Sequence, residues 1–245
     1  MNVMMFTNTY TPHVGGVARS VAQLTRDCRA FGHYVGVVAP EFRDMPDSEE
    51  DVIRVPAIQN FNGSDFSVAL PVSVFLSEKL DALSPDVIHS HHPYLLGDTA
   101  LRVAAKRDLP LVFTHHTMYE QYTHYVPADS SGLKRFVVEL ATGYANLSDH
   151  VIAPSESVAD VLRERGVQTT ISVVPTGVET DRFARGDGGR IRDRFEIPDN
   201  VPLIGHVGRL AREKNLIFLA HAVAEVLQQK RPSHCLNVAC VSDDY

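Results

Sequence analysis

The chain has 245 residues, 44% of them apolar and 22% charged, and a formal net charge of −7. That balance describes a globular protein with material for one large or two modest domains. Its acidic surplus argues against a broad nucleic-acid surface, so an anionic ligand must meet local positive charge. Cys28, Cys235 and Cys240 form no CxxC pair and imply neither a disulfide framework nor a zinc knuckle. There is no apolar run of about 18 residues, and Met1 to Phe6 meets polar Thr7-Asn8-Thr9 too early for a signal peptide. A cytoplasmic location is expected.

Asn2 to Phe6 reads as a short buried strand, and Val17 to Phe31 carries helical spacing through Val17, Val21, Leu24 and Cys28. Between them, Thr9-Tyr-Thr-Pro-His-Val-Gly-Gly-Val17 puts Gly15 and Gly16 where the helix begins, so backbone N–H groups can approach an anion closely. The same pair also serves a plain tight turn. His33 to Ala39 and Asp51 to Val55 read as the next strands, and Asn60 to Leu70 as a loop. Pro71 can start a helix from Val72 to Leu83, which Ser84-Pro85 ends. Then follow a strand at Asp86–Ser90, a helix near Leu95–Lys106 and a strand at Leu109–Thr114. Strands alternating with helices predict an α/β fold of parallel βαβ units, with ligands at the C-terminal strand ends.

The histidines fall at two such ends, as His89-Ser-His-His92 and His115-His116. Neutral imidazoles bind zinc or iron, and His89 and His91 share one face of an extended segment, so a metal centre is one reading. No carboxylate stands next to either cluster, and Pro93 follows His92 where the H-x-H-x-D-H hydrolase pattern requires a different continuation. After His116 come Tyr119, Tyr122 and Tyr125, suited either to stacking on a sugar or to packing a long loop.

A helix at Leu133–Leu147 places Phe136, Leu140 and Tyr144 on one stripe, with Lys134 and Arg135 near its start. That stripe fits either a face turned to the sheet core or a peripheral membrane contact. A strand at Asp149–Ala153, a helix at Ser155–Arg165 with Ser155 as N-cap, and a strand at Ile171–Val174 complete the first domain. Glycine-rich Arg185–Arg190 suits a hinge, and Arg190 to Phe195 reads as a short helix. Val201 to Val207 reads as a buried strand and Leu216 to Gln229 as a helix, with a further strand at Cys235–Val241. Between strand and helix, Gly208-Arg-Leu-Ala-Arg-Glu-Lys-Asn215 sets Arg209 and Lys214 beside free N–H groups at a helix N-terminus, a place that suits a diphosphate.

The G-R-L-x-x-E-K-N turn, the Y-x-P-x-x-G-G-V loop, the T-x-H-T segment and Pro175-Thr-Gly-Val-Glu179 together resemble family 4 of the glycosyltransferases. Thr114 to Tyr125 is similar to the T-x-H-T-M-Y-E-x-Y-x-H-Y stretch of members related to the monoglucosyldiacylglycerol synthases. The resemblance implies GT-B architecture: a Rossmann-like acceptor-side domain over residues 1–176, a linker over 177–200, and part of a donor-binding domain over 201–245. It implies retaining transfer of a hexosyl group from a nucleoside diphosphate sugar, UDP-sugar favoured, to a lipid or glycan hydroxyl. Arg209 and Lys214, helped by N–H groups near Gly15 and Gly16, would neutralise the departing diphosphate without a metal or further cofactor. His116 would orient the sugar or the β-phosphate and is not assigned as a general base. Tyr119, Tyr122 and His124 are the acceptor-side candidates, with a diacylglycerol-like lipid favoured.

The family's E-x7-E element is absent, and a complete second lobe would need about 100 or more residues beyond Val201. A truncated second domain is therefore expected. Two other functions fit the residues, a noncatalytic N-domain that binds acceptor or partner and a histidine-metal hydrolase.

Overall fold

The computed structural model describes residues 1–59, 67–69, 74–123, 130–208, 214–229 and 234–239. The chain forms two compact units, Met1–Gly177 and Val178–Tyr245. In the first, the strands are β1 (Asn2–Phe6), β2 (Tyr34–Pro40), β3 (Val52–Val55), β4 (Ala57–Ile58), β5 (Val68–Ala69), β6 (Val87–Ser90), β7 (Leu111–Thr114), β8 (His150–Ala153) and β9 (Ile171–Val173). Its helices are α1 (Gly16–Ala30), α2 (Val74–Leu83), α3 (Leu96–Arg107), α4 (Ser131–Asn146) and α5 (Glu156–Glu164).

Seven strands make one sheet in the order β3-β2-β1-β6-β7-β8-β9, every neighbouring pair parallel. The chain runs outward from β1 to β3, then returns to place β6 on the other side of β1. This reversal opens a crevice at the C-terminal ends of β1 and β6, where open α/β sheets bind ligands. Burial explains the central strand: Met4 and Phe6 pack on one face with residues of α3 and α5, while Val3 and Met5 pack on the other with α1. A strand covered on both faces reads as a continuous apolar run, as Val3-Met-Met-Phe6 does.

The loop expected over Asn60–Leu70 is only partly described, and it contains β5, which pairs antiparallel with β4. Two-residue strands carry too little periodicity to be read from sequence. In α5, Ser155 caps the helix as expected, its Oγ accepting from the N–H of Val158 at 3.3 Å. The α4 stripe divides. Tyr144 is buried, but Phe136 is 59% and Leu140 39% exposed, so the core explains only the C-terminal half of that stripe.

The second unit contains α6 (Thr180–Ala184), α7 (Gly188–Arg194), β10 (Leu203–Gly208), α8 (Leu216–Gln229) and β11 (His234–Ala239). β10 and β11 are parallel, in register from Leu203↔His234 to Gly208↔Ala239, which makes one βαβ unit around α8. The short helix expected over Arg190–Phe195 is α7, which begins earlier, at Gly188 inside the glycine-rich segment, and α6 precedes that segment. Asp187 supplies the reason for α7, its Oδ1 accepting from the N–H of Gly189 at 3.0 Å as an N-cap.

Candidate functional site

Loops from adjacent strand ends converge at the crevice. The loop after β1 is pinned by Arg54 of β3, a cation with only 10% of its side chain exposed. Its guanidinium bonds both carboxylate oxygens of Glu49 at 2.6 and 2.8 Å, the Pro40 carbonyl at 2.9 Å, and the Thr11 carbonyl in the loop. It also lies over the rings of Tyr10 and Phe42, and His13 stacks on Phe42. A buried charge so fully partnered fixes the backbone that accepts from it.

This loop delivers Gly15 and Gly16 to the start of α1. Gly15 is the N-cap, extended and without a capping side chain, and the first turn of the helix contains no acid. A Cβ at Gly16 would meet nothing within 4 Å, whereas one at Gly15 would stand 3.1 Å from Nε2 of His13. A helix N-terminus attracts an anion through its first-turn donors and its dipole.

Asn8, which the sequence reading missed, joins this loop to the next. Fully buried, it donates from Nδ2 to the Tyr94 carbonyl and accepts at Oδ1 from the N–H of Leu96, both at 3.0 Å. The second bond caps α3, whose own N-cap residue Leu95 offers no side-chain oxygen. The N–H of Asn8 also donates to Nδ1 of His92 at 3.1 Å. Gly97 is required beside this junction, because a Cβ there would stand 1.7 Å from the His92 carbonyl oxygen. A polar residue directly after a buried strand was the available signal for Asn8, and an arginine inside Val52-Ile-Arg-Val55 the signal for Arg54.

The five histidines lie together, with distinct partners. His89 Nε2 pairs with the Thr114 hydroxyl at 2.7 Å, and its ring lies 4.2 Å from that of His91. His91 Nδ1 meets His116 Nε2 at 2.9 Å, joining the loop after β6 to the loop after β7. Both ring nitrogens of His115 are buried without a partner, its ring set edge-on to Phe113 and Tyr119. Burial, and secondarily neighbouring charge, pushes His89 and His92 down to about 3 and His115 and His116 to about 4. His91 is driven well below its ordinary value by burial first and the surrounding imidazoles second. At neutral pH all five are uncharged, and all but His115 make a hydrogen bond through a ring nitrogen. Among the described residues no three His, Cys, Asp or Glu side chains are arranged to hold a metal ion.

The acceptor-side candidates separate. Tyr119 is buried against Tyr94 and His115, so it packs the turn rather than offering its ring at the surface, whereas Tyr122 is 37% exposed. The intervening Glu120 is bound by Arg165 at the end of α5 at 2.8 Å. His124 and Arg209 lie outside the described residues. Lys214 is exposed and stands two residues before α8 in the second unit. No described helix is long and apolar enough to cross a membrane.

Residues 14–182 match the family described as Glycosyltransferase Family 4. The alpha-monoglucosyldiacylglycerol synthase of Streptococcus pneumoniae is 30% identical over 236 residues, covering 94% of this chain and 54% of that protein. A GDP-mannose-dependent alpha-mannosyltransferase of Corynebacterium glutamicum is 27% identical over 232 residues, covering 90% of this chain and 54% of its own length. The chain thus spans about half the length of these relatives. Among solved structures, HepE of Anabaena in complex with UDP-glucose is similar in fold, with a TM-score of 0.64 at 15% identity, covering 100% of this chain and 63% of that one. The parallel sheet with its switch-point crevice is the α/β arrangement of GT-B proteins. The chain belongs to Glycosyltransferase Family 4.

Proposed function

We propose that this chain is the acceptor-side unit and the beginning of the donor-side unit of a retaining glycosyltransferase. It moves a hexosyl group from a nucleoside diphosphate sugar to an acceptor hydroxyl. The observation that carries the reading is the N-terminus of α1, with Gly15 as an N-cap without a capping side chain and open space at Gly16, in a unit whose loops also bring neutral His116 to the strand ends. Within the first unit those N–H groups are the candidate anion site, and in the second unit Arg209 and Lys214 are the candidate cations for the negative charge that develops on the leaving diphosphate. His116 orients the sugar or the β-phosphate.

A diacylglycerol-like lipid is the favoured acceptor, supported by the named activity of the S. pneumoniae relative. Peripheral contact with a membrane is supported by exposed Phe136 and Leu140 on α4, next to Lys134 and Arg135. UDP is favoured over GDP from the UDP-glucose complex of the Anabaena protein, although the C. glutamicum relative uses GDP-mannose by name.

The test is titration of the chain with UDP and GDP, followed by incubation with UDP-[14C]glucose and vesicles containing diacylglycerol. An α-linked glucolipid carries the whole reading, whereas absence of binding by either nucleotide refutes it. Nucleotide or vesicle binding without transfer favours the second reading, a noncatalytic binding unit. In a transfer-competent form, Arg209→Ala should lower turnover strongly. Unchanged turnover would sink the diphosphate role.

A further inference from the structure

The His91–His116 contact has a chemistry of its own. Nδ1 of His91 and Nε2 of His116 are 2.9 Å apart, so one of these two nitrogens carries a proton and the other accepts it. The two assignments differ in what they leave behind. If His116 donates from Nε2, the neutral His91 ring must carry its own proton on Nε2. That atom is sealed from solvent and has no hydrogen-bond partner. If His91 donates from Nδ1, the sealed atom is a bare lone pair. Orphaned buried N–H groups are the rarer of the two defects. The second assignment therefore wins, and it makes Nε2 of His116 an acceptor already occupied by His91.

The other nitrogen of His116 must then carry that ring's proton. His116 is half-buried, and its Nδ1 is not among the sealed, unpartnered atoms of the described residues. Each imidazole holds a single proton at neutral pH, because burial, and the neighbouring imidazoles after it, keep both rings uncharged.

We propose that His91 is a positioning residue that fixes His116 in its Nδ1–H tautomer, so that His116 meets the donor substrate as a hydrogen-bond donor to a sugar or phosphate oxygen. Setting one ring nitrogen by the bond made at the other is the usual way a histidine tautomer is chosen. In this state His116 cannot take a proton from an acceptor hydroxyl, since its one lone pair is occupied by His91. The inference rests on the glycosyltransferase reading for the identity of the ligand, but not for the tautomer.

The test is a long-range 1H–15N correlation spectrum of the 15N-labelled chain at pH 7.5 without ligand, the His116 signals assigned by their loss in His116→Gln. A protonated Nδ1 and an unprotonated Nε2 are expected, and protonated Nε2 overturns the proposal. In His91→Phe the constraint is gone, and the Nε2–H form that imidazoles favour in water should rise. An unchanged tautomer there removes His91 from the argument. His91→Asn can place an amide N–H near the position of Nδ1 and should retain the wild-type tautomer. If neither variant folds, the wild-type spectrum still decides. UDP-glucose is then added. With the tautomer as stated, a His116 Nδ1 signal that does not move overturns the ligand role together with the donor reading beneath it, whereas a wrong tautomer overturns the proposal alone.

Discussion

Lowering the pH should destabilise this protein well before its carboxylates titrate. His89, His91, His92 and His115 are each no more than 7% exposed, and burial, ahead of neighbouring charge, depresses all four. The folded values are about 3, 3 and 4 for His89, His92 and His115, against an unfolded value of about 6.5. Above the unfolded value both states are neutral and nothing is lost. As pH falls below it, the unfolded chain binds protons that the folded one refuses, so stability declines until the folded values are reached. One unit below the unfolded value, each such histidine costs about 1.4 kcal/mol. Four of them remove about 5 kcal/mol between pH 7.5 and about 5.5, a large share of the ~5–15 kcal/mol that holds a domain together.

The assay is a series of urea titrations at pH 7.5, 6.5 and 5.5, followed by tyrosine fluorescence, since the chain has no Trp and every tyrosine but Tyr245 lies in the first unit. The midpoint should fall steadily across the series. Glu120 does not confuse the reading. Burial alone would raise its carboxyl, but the hydrogen bonds and charge of Arg165 outweigh that and hold it below its ordinary value. Its contribution is therefore present throughout this range and is lost only at lower pH. A midpoint that stays constant from pH 7.5 to 5.5 would refute the claim that these rings are buried and neutral.

Three further outcomes follow from the packing. Asn8→Ala should cost about 2–4 kcal/mol by orphaning the Tyr94 carbonyl and the Leu96 N–H inside the protein, whereas Asn146→Ala should cost about 1 kcal/mol or less, because water can replace its bonds to Gly166 and Gln168 at the surface. Equal losses in chemical denaturation would contradict that account. Gly97→Ala should destabilise by about 3 kcal/mol through its clash with the His92 carbonyl, while Gly143→Ala, with nothing within 4 Å, should stabilise α4 by about 0.5–1 kcal/mol; thermal melts that rank them the other way would be decisive. Ser155→Ala should lower stability by about 1 kcal/mol through loss of the α5 cap, and an unchanged melting temperature would show the 3.3 Å contact to be incidental.

Much of this architecture was readable because it is local. Val3 to Phe6 and Tyr34 to Pro40 are apolar in continuous runs, the pattern of strands buried on both faces, and the Ser155 cap lies three residues from its partner. The histidines at the ends of β6 and β7 and the glycine pair before α1 could be placed for the same reason. What escaped depends on contacts distant in sequence. Asn8 serves groups 84 to 88 residues away, and Arg54 reaches 43 residues back to Thr11, separations that no periodicity encodes. Nor does spacing encode which partners the imidazoles take, Thr114 for His89, Asn8 for His92 and His116 for His91, since ring orientation decides that.

These same distant contacts explain how separate loops can present one site. Arg54 ties the loop after β1 to the end of β2, and Asn8 ties it to the turn before α3. His91 and His116 join the loops after β6 and β7, and Arg165 holds the turn that follows β7 through Glu120. Each bond is made within the first unit. Groups held in advance stabilise developing charge without reorganising when it appears. Buried polar ties of this kind join the loops at the crevice, and the bonds of Asn8, Arg54 and His91 restrain the segments that carry Gly15, Gly16 and His116.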